Sequence, residues 1–153
     1  KWELGDIESY KVLISQALEI NPSNADLLYN LGVVSSDSGD LESAKMYYNK
    51  AISVDPNYTR AYLNMVTIIF KELKIVEQKM NKLGNSTADY NKYDAFKVDL
   101  NDLYMTAIPY LNSALKIEPE NINAAQTLRN IYSAIGDVEN YKLMKEKVEK
   151  LEN

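Results

Sequence analysis

Apolar residues recur at intervals of three and four along almost the whole chain, and the intervals break at regular places. Leu27, Leu28, Leu31, Val34 and Ser35 form one such run. Leu41, Ala44, Tyr48, Ala51 and Ile52 form the next. This spacing lays one face of an α-helix against a core. The breaks repeat as well. Ala17-Leu18-Glu19-Ile20-Asn21-Pro22 returns as Ala51-Ile52-Ser53-Val54-Asp55-Pro56 and as Ala114-Leu115-Lys116-Ile117-Glu118-Pro119. Pro56 follows Pro22 by 34 residues, and Pro119 follows Pro56 by 63, which is 34 plus 29. A fixed period of this length predicts stacked helical hairpins, one of them carrying an insertion.

A second mark runs in phase with the first: Gly5-Asp6, Gly39-Asp40 and Gly136-Asp137. Glycine tolerates the left-handed backbone that ends a helix, and aspartate caps the next one. Each pair therefore reads as a tight turn between antiparallel helices. Pro22, Pro56 and Pro119 close the linkers after second helices, and Ser23, Asn24 and Asn57 are candidate caps for the helices that follow. Gly32 is expected to face Ala44, so that the two helices of that hairpin approach closely.

The insertion has its own periodicity. Ile69, Leu73, Val76, Met80 and Leu83 step by four and three, and Tyr93, Phe96, Leu100, Leu103, Ala107 and Tyr110 do the same. This is a heptad seam on two antiparallel helices. Gly84 is expected to end the first helix. Ser86 or Thr87 is expected to cap the second, with Asp89 or Asp94 near its start. About 14 extra residues per helix would make an arm of roughly 20 Å. Either the arm lengthens the hairpin and packs on a neighbouring repeat, or it is a contact device whose tip presents Tyr90 and Tyr93, since aromatic residues favour interfaces.

The best copy reads Leu28-x2-Leu31-Gly32-x2-Ser35, then Ala44-x3-Tyr48-x2-Ala51, then Pro56. It resembles the tetratricopeptide repeat, with Leu28 where Trp is usual and Ser35 where Tyr is usual. The third copy has Met65-Val66 in place of Leu-Gly, and the fourth keeps Leu128-Arg129-x2-Tyr132, Gly136-Asp137, Tyr141 and Val148. The resemblance implies an all-α, right-handed superhelical solenoid of antiparallel helix pairs with one extended coiled-coil hairpin. Residues 1–153 then form a single domain: 1–22 a partial repeat one, 23–56 repeat two, 57–119 repeat three with a helical-arm insertion at about 71–101, and 120–153 repeat four. Trp2 and Leu4 become the tail of a truncated helix, so the chain reads as a fragment with an exposed N-terminal end. The charged helix from Val138 to Leu151 suits a polar end cap.

In tetratricopeptide proteins the first helices of successive repeats line a concave groove that holds a peptide. Carried over by phase, that groove would use Tyr29, Asn30 and Val33 of repeat two. Repeat three would supply Arg60, Leu63, Asn64, Thr67 and Lys71, and repeat four Gln126 and Asn130. Asp26, Asp37, Asn123 and Ser133 fall on the same faces. Asn30 and Asn64 lie one period apart, where relatives use an asparagine on the ligand backbone; an amide both donates and accepts. Only Arg60 and Lys71 are basic at these positions, so a clamp for a terminal carboxylate is incomplete.

Net charge is −5, which argues against a broad nucleic-acid footprint. No apolar run is long enough to cross a bilayer. The chain has no Cys and no His, which removes disulfides, thiol chemistry, the commonest general base and the commonest transition-metal ligand. No glycine-rich phosphate loop or calcium loop appears. Asn85-Ser86-Thr87 matches a glycosylation acceptor pattern, a triplet frequent by chance. We therefore expect no catalytic residues, no cofactor and no metal. The expected role is a non-catalytic adaptor binding a protein or peptide of unknown identity in the groove, through the arm, or both. The alternative is a structural module that self-associates, or stacks on adjoining repeats, through its N-terminal end. In style the Asn-, Tyr- and Lys-rich repeats resemble exported repeat proteins of Bacteroidetes-type bacteria, which would place the chain outside the cytoplasm or in the periplasm.

Overall fold

A computed structural model describes residues 4–152, and among them every regular element is helical. The helices are α1 (Leu4–Ile20), α2 (Ala25–Asp37), α3 (Leu41–Val54), α4 (Thr59–Met80), α5 (Thr87–Ile117), α6 (Ile122–Ile135) and α7 (Val138–Glu152). The chain divides into two compact units, and the division falls inside α4, between Ile68 and Ile69.

In the first unit α2 and α3 form the hairpin that the 34-residue period predicts. Asn24 caps α2, accepting the Leu27 N–H at 3.0 Å. The turn that follows has Gly39 at φ +85°, and the Asp40 N–H returns to the Ser35 carbonyl at 2.9 Å. Asp40 then caps α3 through the Ser43 N–H at 3.1 Å. Leu28, Leu31, Gly32 and Ser35 are buried on α2, and Ala44, Tyr48 and Ala51 on α3. A Cβ built on Gly32 would lie 2.5 Å from two carbons of the Tyr48 ring. The small residue therefore makes room for the Tyr48 ring, a neighbour that the sequence expectation did not name. A methyl-sized Ala44 needs no matching glycine, whereas an aromatic ring does.

The second unit repeats the device. Gly136 has φ +77°, the Asp137 N–H bonds the Tyr132 carbonyl at 2.9 Å, and Asp137 accepts the Asn140 N–H at 3.1 Å at the start of α7. Ala124, Ala125, Leu128, Ile131 and Tyr132 of α6 and Val148 of α7 are buried. The first Gly-Asp pair behaves differently: Gly5 and Asp6 lie inside the first turn of α1 and end no helix. Leu4 opens that same helix, and Trp2 lies outside the described residues.

The insertion is helical but uneven. α4 has 22 residues against 13 in α2, and α5 has 31 against 14 in α3. α4 ends at Met80, not at Gly84. The Lys82 N–H bonds the Lys79 carbonyl and the Leu83 N–H bonds the Met80 carbonyl, three residues back in each case, so the helix tightens and stops. Ser86 caps α5 in a reciprocal box: the Asp89 N–H donates to Ser86 Oγ at 3.2 Å, and the Ser86 N–H donates to Asp89 Oδ2 at 3.2 Å. Gly84 serves this box, because a Cβ there would sit 3.1 Å from Asp89 Oδ2. Along the expected seam Ile69, Leu73 and Ala107 are buried. Val76, Met80, Leu83, Phe96, Leu100, Leu103 and Tyr110 are half-buried, and Tyr93 is exposed. Burial thus declines toward the tip.

Candidate functional site

The expected groove residues fall in both units, and each unit is described by itself. In the first, α2 contributes Tyr29, Asn30 and Val33, and the start of α4 contributes Arg60, Leu63, Asn64 and Thr67. Tyr29, Arg60 and Asn64 are drawn into one network. The Asn64 amide donates to the hydroxyls of Tyr29 and Tyr48, each at 3.1 Å. The Tyr29 ring lies 5.7 Å from that of Tyr48 and 5.2 Å from that of Tyr58, both tilted. The Arg60 guanidinium stands over both outer rings, 5.0 Å from Tyr29 and 5.1 Å from Tyr58. It also donates to the Tyr58 hydroxyl at 2.8 Å and to Asp26 Oδ1 at 3.4 Å, while Tyr58 donates to the same Asp26 oxygen.

The network has a buried and an exposed end. Tyr48 is 1% exposed, and burial pushes its hydroxyl up to about 12 against the pull of the Asn64 hydrogen bond. Tyr58 is also pushed up to about 12, first by burial and then by its bond to Asp26. Both rings therefore stay neutral across the physiological range. At the outer end Asp26 and Arg60 are largely exposed, so their ion pair orients the guanidinium more than it stabilises the fold. Asn64 has used its two donors internally, which alters the expected role: it orders the surface through its NH2 group, and its carbonyl oxygen is the atom with capacity left for a ligand N–H. Asn30, Val33 and Leu63 are half-buried beside this network, and the exposed Thr67 hydroxyl donates to its own helix at the Leu63 carbonyl, 3.1 Å. With Asp26 beside Arg60, the cation is already answered within the chain.

Tyr58 was missed by sequence reasoning. It stands 34 residues after Asn24, the amide that caps α2 one period earlier. An aromatic at a capping position was the signal. Also unanticipated is a cavity of about 500 Å³ in the first unit. It opens between α1, α2 and α3, with Leu18, Leu28, Leu31, Tyr47, Lys50 and Val54 in its wall.

In the second unit Gln126 and Asn130 lie on α6 and Lys71 on α4. Gln126 donates to Glu152 at 3.1 Å, and Asn130 accepts from Arg129 at 3.3 and 3.4 Å. Both amides thus bond within the unit. At the arm tip Tyr90 and Tyr93 are 61% and 46% exposed. They share the wall of a cavity of about 310 Å³ with Met80, Leu83, Gly84, Asn85 and Asp89. Lys97 lies over the Tyr93 ring at 5.9 Å. Among the described residues no group of three or more acidic side chains could hold a metal ion, and no helix is long and apolar enough to cross a membrane.

Residues 25–58 match the family model described as "Tetratricopeptide repeat". No curated protein matches the chain. Among solved structures, one titled "Crystal structure of MamA" shares 23% identity, covering 95% of this chain and 91% of that one, with a TM-score of 0.43. A structure of PilF from Pseudomonas aeruginosa shares 20% identity over 95% of this chain and 69% of its own, with a TM-score of 0.42. A structure of PilW, titled a widely conserved type IV pilus biogenesis factor, shares 15% over 96% and 70%, with a TM-score of 0.43.

Proposed function

We propose that this chain, which carries a tetratricopeptide repeat at residues 25–58, is a non-catalytic adaptor. It holds an extended protein segment on the face formed by α2 and the start of α4. The observation that carries this reading is the Tyr29–Tyr48–Tyr58–Arg60–Asn64–Asp26 network. Its inner hydrogen bonds fix two aromatic rings, a guanidinium and an amide before any ligand arrives. A surface ordered in advance spends less of its binding energy on immobilising side chains. Tyrosine and arginine are also the side chains that most often anchor interfaces.

The test begins with selection of binding peptides from a displayed library against the intact chain. Affinity is then measured by calorimetry against two exposed variants, Arg60→Glu and Asp26→Ala. The reading expects Arg60→Glu to weaken the selected peptides by about tenfold or more, the loss typical of an interface anchor. Peptides that bind both variants as tightly as the intact chain would refute it.

A second reading is a module that stacks on a neighbour through α1. It is favoured by Leu13 and Ile20, which are 63% and 88% exposed seven residues apart on one helix.

A further inference from the structure

The cavity between α1, α2 and α3 of the first unit is built from two kinds of side chain. Its floor is apolar: Leu28 and Leu31 of α2 are 5% and 3% exposed. Leu18 of α1 and Tyr47 and Val54 of α3 carry the apolar lining up the walls. The polar lining is exposed and comes from two helices, Ser15 and Glu19 from α1 and Lys50 and Ser53 from α3. Ser15 and Glu19 are four residues apart and Lys50 and Ser53 three, so each pair shares one helix face. A carboxylate therefore comes from one helix and an ammonium from the other. The volume of about 500 Å³ lies in the range of small-ligand sites, which are likewise mostly apolar with a few placed polar groups.

The repeat does not supply this lining by itself. One period after Leu28 and Leu31 stand Tyr62 and Met65, one bulkier and one longer. One period before Lys50 stands Gln16, and one period after Glu19 stands Ser53, both uncharged. Two leucines with both charges therefore mark this junction and not the one a period later. Among the described residues neither Glu19 nor Lys50 belongs to an ion pair. The Lys50 ammonium lies 5.7 Å from the centroid of the Tyr47 ring, against the apolar wall. Both charges are left to solvent or to a ligand.

We infer that this cleft is a site for a zwitterionic dipeptide with apolar side chains. The side chains rest on Leu28 and Leu31, the terminal carboxylate meets Lys50, and the amino terminus meets Glu19. Charge selects the class. A fatty acid would answer Lys50 and bring a second anion toward Glu19, and an amine would do the reverse; a zwitterion answers both. Size selects the length. Two extended residues span about 7 Å, close to the separation of packed helices, about 8–10 Å, so one molecule reaches a group on each. The Ser53 hydroxyl donates to the Asn49 carbonyl at 2.9 Å, which leaves its oxygen as an acceptor beside Lys50. The cleft uses none of the residues proposed to hold an extended segment, so neither reading rests on the other.

The test titrates leucyl-leucine into the intact chain at about pH 7, where its carboxylate and most of its amino groups are charged, and follows amide chemical shifts by NMR. The changes should concentrate in Ser15–Glu19 of α1 and Tyr47–Val54 of α3. N-acetyl-leucyl-leucine, leucyl-leucinamide and glycylglycine should each bind about tenfold or more weakly, since each lacks one charge or the apolar body. Two variants at exposed positions, checked for helicity by circular dichroism, assign the ends. Lys50→Gln should bind leucyl-leucine no better than its amide, and Glu19→Gln no better than its N-acetyl derivative. Arg60→Glu should leave the dipeptide affinity unchanged, which separates this cleft from the face proposed for an extended segment. No change at about 10 mM dipeptide, above a millimolar dissociation constant, would overturn the inference. So would blocked dipeptides that bind as tightly as the free one, variants that weaken every probe alike, or changes confined to Asp26–Val33 and Arg60–Thr67.

Discussion

Gly32 shows how a single missing carbon shapes the first unit. Its Cα approaches Tyr48 so closely that a methyl group would overlap the ring. Tyr48 is 1% exposed, and its hydroxyl is held by Asn64 beneath Tyr29. Moving the ring would therefore disturb both the hairpin core and the ordered surface above it. We expect Gly32→Ala to lower stability by about 1–3 kcal/mol, the usual cost of overpacking a filled core, even though alanine is the better helix former. Chemical denaturation of the two proteins measures it, and equal midpoints would mean that Tyr48 yields without cost. The glycine and the tyrosine were both visible in the repeat pattern, but their partnership was not. Spacing gives the face of a helix on which a residue lies; which side chain meets it across the seam depends on how far the two helices slide, and the sequence carries no direct record of that.

At the scale of the helices, punctuation decided more than propensity. Asp40 and Asp137 each follow a left-handed glycine and cap the next helix, and the hydrogen bonds from Ser43 and Asn140 hold their carboxyls below the ordinary 3.8. A carboxyl depressed in the folded state contributes stability above its unfolded value, and that contribution is lost as pH falls through the folded value. The chain should therefore lose stability below about pH 4. Asp40→Asn with Asp137→Asn should keep the caps while reducing that loss, because asparagine caps without titrating. Urea titrations at neutral and acid pH compare the two proteins, and an unchanged acid dependence in the variant would rule the caps out as its source.

These turns were legible because glycine and aspartate leave few alternatives. The end of α4 was less so. Gly84 looked like a terminator, yet the helix stops four residues earlier and the glycine instead clears space for the Asp89 carboxylate. Glycine permits several local roles, and only the neighbouring capping box selects among them. The Gly5-Asp6 pair makes the same point, since it sits within a helix. Pro109, inside α5, forgoes one backbone hydrogen bond on an exposed side of a 31-residue helix, a break that periodicity alone does not register.

Over the whole chain, the all-helical repeat architecture was readable because its evidence is redundant: two marks, in phase, across several copies. The proposed binding face was only half readable. Phase placed Tyr29, Arg60 and Asn64 on the expected faces, but it could not show that Asn64 turns its donors inward or that Tyr58 joins from a capping position. Such features arise from side chains meeting across a period of 34 residues, and each of them is ambiguous when read alone. The central claim is that this preordered face of the first unit receives the ligand. Hydrogen exchange with and without a library-selected peptide tests it most directly. The account predicts new protection concentrated in Asp26–Val33 of α2 and Arg60–Thr67 of α4. Protection confined to α5, α6 and α7, or none at either segment under saturating peptide, would contradict it.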